Sequence, residues 1–95
     1  MTLKLENTKV KVSEVVYEPG APRARHLRAS DQVIVFLEDC EYERTDSKTG
    51  EKAIRTRKAG EVIWHDRGED APVLVNKGQK AYRTLLIEIK PERAI

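Results

Sequence analysis

The stretch QVIVFLEDCEYERTDSKTGEKAIRTRKAGEVIWH, Gln32–His65, decides the fold. It opens on QVIVFLE (Gln32–Glu38), a β-branched and aromatic run too short for a typical helix, which reads as a strand buried on both faces. CEYERTD (Cys40–Asp46) then alternates polar and apolar residues, and a period of two marks a half-buried strand. SKTGEK supplies a polar turn around Gly50, and KAIRTRKAG sets Ala53, Ile54 and Thr56 among cations. The pair predicts an exposed hairpin. Glu61–His65 reads as a short strand held between Gly60 and Gly68.

The same pattern extends outward in both directions. TKVKVSEVVYE (Thr8–Glu18) alternates at Lys9, Val10, Lys11 and Val12 and continues into Val15, Val16 and Tyr17. PGAP, Pro19–Pro22, breaks it. On the other side, PVLVNKGQKAYRTLLIEIK forms two strands about an NKGQ turn, the last being Tyr82–Lys90, and KPERAI (Lys90–Ile95) reads as a loose end. No segment carries a helical i, i+3, i+4, i+7 stripe. About seven or eight short strands with Gly, Pro and Asn turns between them predict an all-β barrel or sandwich. No internal repeat or linker divides the chain, so residues 1–95 read as one domain with a core over 10–90.

Composition narrows the function classes. Eighteen basic and sixteen acidic residues leave a formal charge of +2, too balanced to argue for nucleic acid or a membrane surface as partner. The cations of Lys52–Lys58 lie opposite the acids of DCEYERTD, where cross-strand pairing accounts for them, and no aromatic stacking set accompanies them. Cys40 is the single cysteine, which excludes an intramolecular disulfide and a cysteine zinc cluster. Its acidic neighbours suppress the thiolate, so it is no nucleophile. The N-terminus MTLKLENTKVKV lacks an apolar signal core, and the expected compartment is the cytoplasm.

Two glycine-started motifs carry a resemblance. From Gly20, five residues lead to His26, then Leu27, Arg28 and, two residues on, Asp31. From Gly60, five residues lead to Asp66-Arg67-Gly68, and the chain runs on past Pro72 to Asn76. The spacing resembles the two motifs of small single-domain cupins, over roughly residues 10–90. The resemblance implies a single cupin-type antiparallel β-barrel, of the double-stranded β-helix or jelly-roll kind. It also implies a divalent metal held by two histidines, a glutamate and a third histidine. In this chain the first position is His26, the second is Arg28, the acid is Asp31, and the third histidine falls near Ala71 or Pro72, neither of which can ligate.

Those departures shape the expected site. Arg28 is a fixed cation with five donors and no acceptor, so it disfavours a metal and favours a carboxylate or phosphate. Residues two apart on a strand share a face, which places His26 beside Arg28, with Asp31 as the counter-ion of Arg28. Trp64 and His65 face opposite ways. We expect Trp64 inward because indole burial is the larger gain. The pocket candidates are therefore His26, Arg28, Asp31, Trp64 and His65; no catalytic residue is assigned, and no cofactor is favoured. A divalent metal, if held, would use His26, Asp31 and His65.

Three classes stay open. The favoured one is a non-catalytic binding or structural module whose pocket suits a small polar or anionic molecule. The second is a metal-dependent cupin enzyme of dioxygenase, isomerase or decarboxylase type. The third is a protein-interaction module. A homodimer formed by sheet extension through LKLENTKVKV is expected.

Overall fold

The computed structural model describes residues 1–91, and the tail expected to be loose lies outside them from position 92 onward. Eleven strands and no helix make up the described chain: β1 (Thr2–Glu6), β2 (Val10–Tyr17), β3 (Pro22–Arg23), β4 (His26–Leu27), β5 (Asp31–Phe36), β6 (Cys40–Thr45), β7 (Lys52–Arg57), β8 (Val62–His65), β9 (Asp70–Ala71), β10 (Val73–Asn76) and β11 (Tyr82–Ile89). A five-stranded sheet runs β1-β2-β11-β5-β8, a four-stranded sheet runs β3-β10-β6-β7, and β4 pairs with β9 apart from both. Every strand pairing is antiparallel. The expectation of an all-β fold holds.

Alternation along the strands sends one set of side chains between the two larger sheets. Ile34 and Phe36 of β5, Tyr42 of β6 and Tyr82 of β11 form the buried cluster, with Tyr17, Ile63, Leu74 and Leu86 packed against it. Tyr17 stacks on Tyr82 with ring centroids 4.8 Å apart. Phe36 lies parallel to Tyr42 at 6.4 Å. Strand β5 departs from its expected burial on both faces: Gln32, Ile34 and Phe36 are buried, while Asp31, Val33 and Val35 are only half-buried. Its inner face meets the second sheet, and among the described residues no layer covers its outer face. An apolar row consequently crosses that outer face in register, Trp64–Val33–Ile87–Val12–Leu5.

The turns follow local chemistry. In the β6–β7 hairpin, Asp46 Oδ1 accepts the backbone N–H groups of Lys48 (2.8 Å) and Thr49 (2.9 Å), an Asx-type turn. The expected cross-strand charge pairing is present at Lys52–Glu43 (3.9 Å) and Lys58–Asp39 (3.6 Å). Gly60 and Gly68, the second motif's fixed points, sit at φ 89° and 85°, the left-handed region that favours glycine. Gly60 N–H donates to Phe36 O (2.7 Å) while Phe36 N–H donates to Glu61 O (2.9 Å), so this turn anchors the end of β5.

Candidate functional site: a cationic cavity between the sheets

A cavity of about 170 Å³ lies between the two larger sheets. Its apolar wall comes from Ile34, Phe36, Tyr42, Ile63, Leu74 and Tyr82, and its polar wall includes Arg23, Arg28, His65 and Glu69. The strand phase explains this division. Ile63 is paired with Ile34 across β8 and β5, which carries His65, two residues on, to the same inner face beside Gln32.

Arg28 is the most deeply set charge, only 6% exposed. One guanidinium N–H donates to Gln32 Oε1 (3.0 Å), and Nε has no partner. Arg23 donates to Pro72 O (2.7 Å) and lies 3.5 Å from the Tyr17 hydroxyl, and its Nε is also unpartnered. Among the described residues neither guanidinium has a carboxylate within ion-pair distance. The nearby acids are engaged at the rim: Asp70 holds Arg25 (2.6 Å), and Glu69 accepts the Asp66 backbone N–H and lies 3.6 Å from His65 Nδ1. Burial, and then the like charge of Arg23, destabilise the Arg28 cation, with Glu69 opposing them.

The five sequence candidates part company here. Arg28 and His65 line the cavity; His26, Asp31 and Trp64 do not. His26 is exposed, its Nδ1 3.5 Å from Ala24 O. With Arg28 it borders a second recess, of about 530 Å³, lined also by Gln32, Ile34 and Leu86. The Arg28 backbone continues the pairing of β4 with β9, its N–H donating to Glu69 O (3.0 Å) and its O accepting from Gly68 N–H (2.8 Å). Asp31 is not the counter-ion of Arg28. It begins β5 on the outer face, where Oδ1 accepts the Arg67 backbone N–H (2.8 Å). Trp64 points outward, 51% exposed, with its indole N–H donating to Asp66 Oδ1 (2.8 Å). The register of β8 against β5 outweighs the indole's own burial gain. Arg23 and Glu69 were not singled out from the sequence. Arg23 belongs to the same arginine-rich run as Arg28, and its two-residue strand gives no period to read.

The metal set implied by the resemblance does not assemble. His26 and Asp31 lie outside the cavity, Ala71 is fully buried with no donor, and Arg28 occupies the remaining position. Among the described residues no three His, Cys, Asp or Glu side chains group closely enough to hold an ion. Inside the cavity His65 and Glu69 approach each other in a lining that also holds the Arg28 guanidinium, which repels a cation. Cys40 is half-buried, and burial foremost pushes its thiol up to about 11, so it stays protonated at neutral pH.

Burial, followed by the charge of Arg28, lowers the pKa of His65, and Glu69 offsets this only in part. The folded state therefore favours neutral His65. Its contribution to stability is complete above the unfolded histidine value of about 6.5 and falls away as pH drops toward the lower folded value. Denaturant unfolding from pH 7.5 to 5 should show a loss of stability on acidification that is smaller in His65→Gln. An identical pH profile in the variant would show that His65 titrates alike in both states.

No family model matches the chain, and no curated protein matches it in sequence. Solved structures match its fold. A cupin domain from Bordetella pertussis Tohama I superposes with a TM-score of 0.82 at 21% identity, over 95% of this chain and 91% of that one. An RmlC-like cupin with a double-stranded β-helix fold from Methanocaldococcus jannaschii gives 0.71 at 11% identity, over 94% and 77%. A polyketide cyclase from Streptomyces resistomycificus gives 0.68 at 18% identity, over 93% of this chain and 59% of that one. The chain has the cupin fold, a double-stranded β-helix, and its interior cavity is the one described above. Among the described residues no helix is long and apolar enough to cross a membrane.

Proposed function

We propose that the protein is a non-catalytic binding module that holds a small anion in the cavity, with Arg28 and Arg23 as the charged contacts and no metal cofactor. The observation that carries this reading is a pair of guanidiniums lining one cavity, each with an unpartnered buried Nε and no carboxylate partner. A buried cation without a counter-ion is costly, and a bound oxyanion would relieve that cost through charge-assisted hydrogen bonds. Arg28→Met is expected to weaken anion binding by about 1.5–3 kcal/mol, roughly 10- to 150-fold, in calorimetric titration. Without ligand the same variant should be no more than about 1 kcal/mol less stable than the wild type, because an uncompensated charge leaves the interior while only the Gln32 bond is lost. Unchanged affinity in Arg28→Met would overturn the proposal. So would a stoichiometric iron, manganese, nickel or zinc that survives mild purification and disappears in His65→Ala.

We infer further that the protein works as a homodimer joined by sheet extension at β1. Support comes from β1 lying at the edge of the five-stranded sheet with all five residues exposed, and from the apolar outer row ending there at Leu5. An unpaired edge is a template for a second copy's edge. Sedimentation at micromolar concentration is expected to give about twice the 10.9 kDa chain mass, and Leu3→Lys with Leu5→Lys should return it to the monomer. A wild-type monomer under those conditions would refute the assembly. The unpaired Cys40 fits a reducing cytoplasm as the place of action.

A further inference from the structure

The cavity's shape and lining specify more than charge. Resting on the anion reading above, we propose that the ligand is an amphipathic monocarboxylic acid with a compact apolar body, the size of one six-membered ring, rather than a phosphate or a short hydrophilic acid.

Size is the first argument. An apolar cavity of about 150 Å³ takes up one benzene. At about 170 Å³, this cavity has room for a ring and one small polar group. The wall is the second. Ile34, Phe36, Ile63, Leu74 and Tyr82 present hydrocarbon and ring surface, and water confined against them makes few hydrogen bonds. The third is the distribution of donors. Arg28 is more than nine-tenths buried, and its Nε–H has no acceptor. Arg23 offers a second unpartnered Nε–H in the same lining.

A carboxylate could satisfy such donors with its two oxygens while its carbon body fills the apolar part. A phosphate would bring a second charge past Glu69 and Asp70 and, like acetate, would leave the surface of Ile34, Phe36, Ile63 and Leu74 unfilled. Acetate would satisfy the charge and leave most of the apolar surface unfilled. Benzyl alcohol would fill the space and leave the guanidiniums without an anion. The expected order of affinity is therefore benzoate and cyclohexanecarboxylate first, with acetate, phosphate and benzyl alcohol well behind.

The test is calorimetric titration of the wild-type protein with these five compounds at one ionic strength, repeated on Leu74→Phe and Arg28→Met after circular dichroism has verified their folds. Benzoate or cyclohexanecarboxylate should bind at least about tenfold more tightly than acetate, phosphate or benzyl alcohol, the scale of one to two buried methylenes. Leu74→Phe should weaken the ring acids and leave acetate unchanged. Equal binding of acetate and benzoate, both dependent on Arg28, would overturn the amphipathic ligand and leave the anion reading standing. Phosphate bound most tightly would do the same. Binding of none of the anions would overturn both readings. The wild-type series alone decides the question even if a variant fails to fold.

Discussion

Asn76→Ala should unfold at a temperature about 12–24 °C below the wild type, a loss on the order of 3 kcal/mol. The reason lies in the number of chain segments that this one amide joins. Asn76 ends β10 and is 3% exposed. Its Nδ2 donates to Tyr17 O and to Lys80 O, both at 2.9 Å. Its Oδ1 accepts the Gly78 backbone N–H at 2.8 Å. The side chain thus fastens the end of β2 to the turn between β10 and β11, beside a backbone bond from Gly20 N–H to Asn76 O (2.9 Å). Alanine would leave two carbonyls and one amide without their partner, and each such group costs about 1 kcal/mol or more. Asn76→Asp offers a sharper comparison: it keeps an acceptor for Gly78 but turns a carboxylate toward two carbonyls. It should be no more stable than the alanine variant at pH 7 and should recover part of the loss where the acid is protonated. A melting shift of less than about 4 °C in Asn76→Ala would show that the turn holds without the side chain.

Phe36→Ala is expected to cost about 3–5 kcal/mol, a large share of the 5–15 kcal/mol that a domain usually has. Phe36 is 4% exposed, lies parallel to Tyr42, and has the Arg57 guanidinium 5.8 Å above its ring. Arg57 in turn donates to the Tyr42 hydroxyl (3.3 Å) and sits 3.8 Å from Glu61. Removing the ring enlarges a cavity that is already present and takes away the surface on which Arg57 rests. Phe36→Leu should recover about half of the loss, since it restores most of the volume and none of the cation–π contact. Urea unfolding of the three proteins measures the series. A penalty below about 1 kcal/mol for alanine would mean that the two sheets close over the gap.

The long strands were legible in the sequence because a period of two needs only four to six residues to declare itself. The same alternation makes Trp64 and His65 oppose each other. Which of the pair faces inward was not legible, because that depends on Ile63 meeting Ile34 across the sheet, a pairing that local alternation does not contain. The shortest strands were lost for a related reason. β3, β4 and β9 have two residues each, too few for any period. The difference in burial between exposed His26 and buried Arg28 could not be read from so short a strand. Arg28 itself was found through its place in the glycine-started motif, and its lack of a carboxylate partner emerged only when Asp31 proved to serve the Arg67 backbone. Asn76 was likewise found by motif spacing, while its structural task depends on bringing the end of β2, at Tyr17, against the turn that follows β10.

The outward turn of Trp64 decides what light can report about this molecule. It is the only tryptophan, and its half-exposed indole stands on the outer face, in the row that runs through Val33 and Ile87. The cavity is bordered instead by the rings of Tyr17, Phe36, Tyr42 and Tyr82. Indole emission therefore monitors the solvent and neighbours of the outer sheet surface, and the near-ultraviolet dichroism of the buried tyrosines monitors the interior. The two chromophore sets are separated by the thickness of one sheet, so a single sample provides two optical channels, one for each face of the same strands.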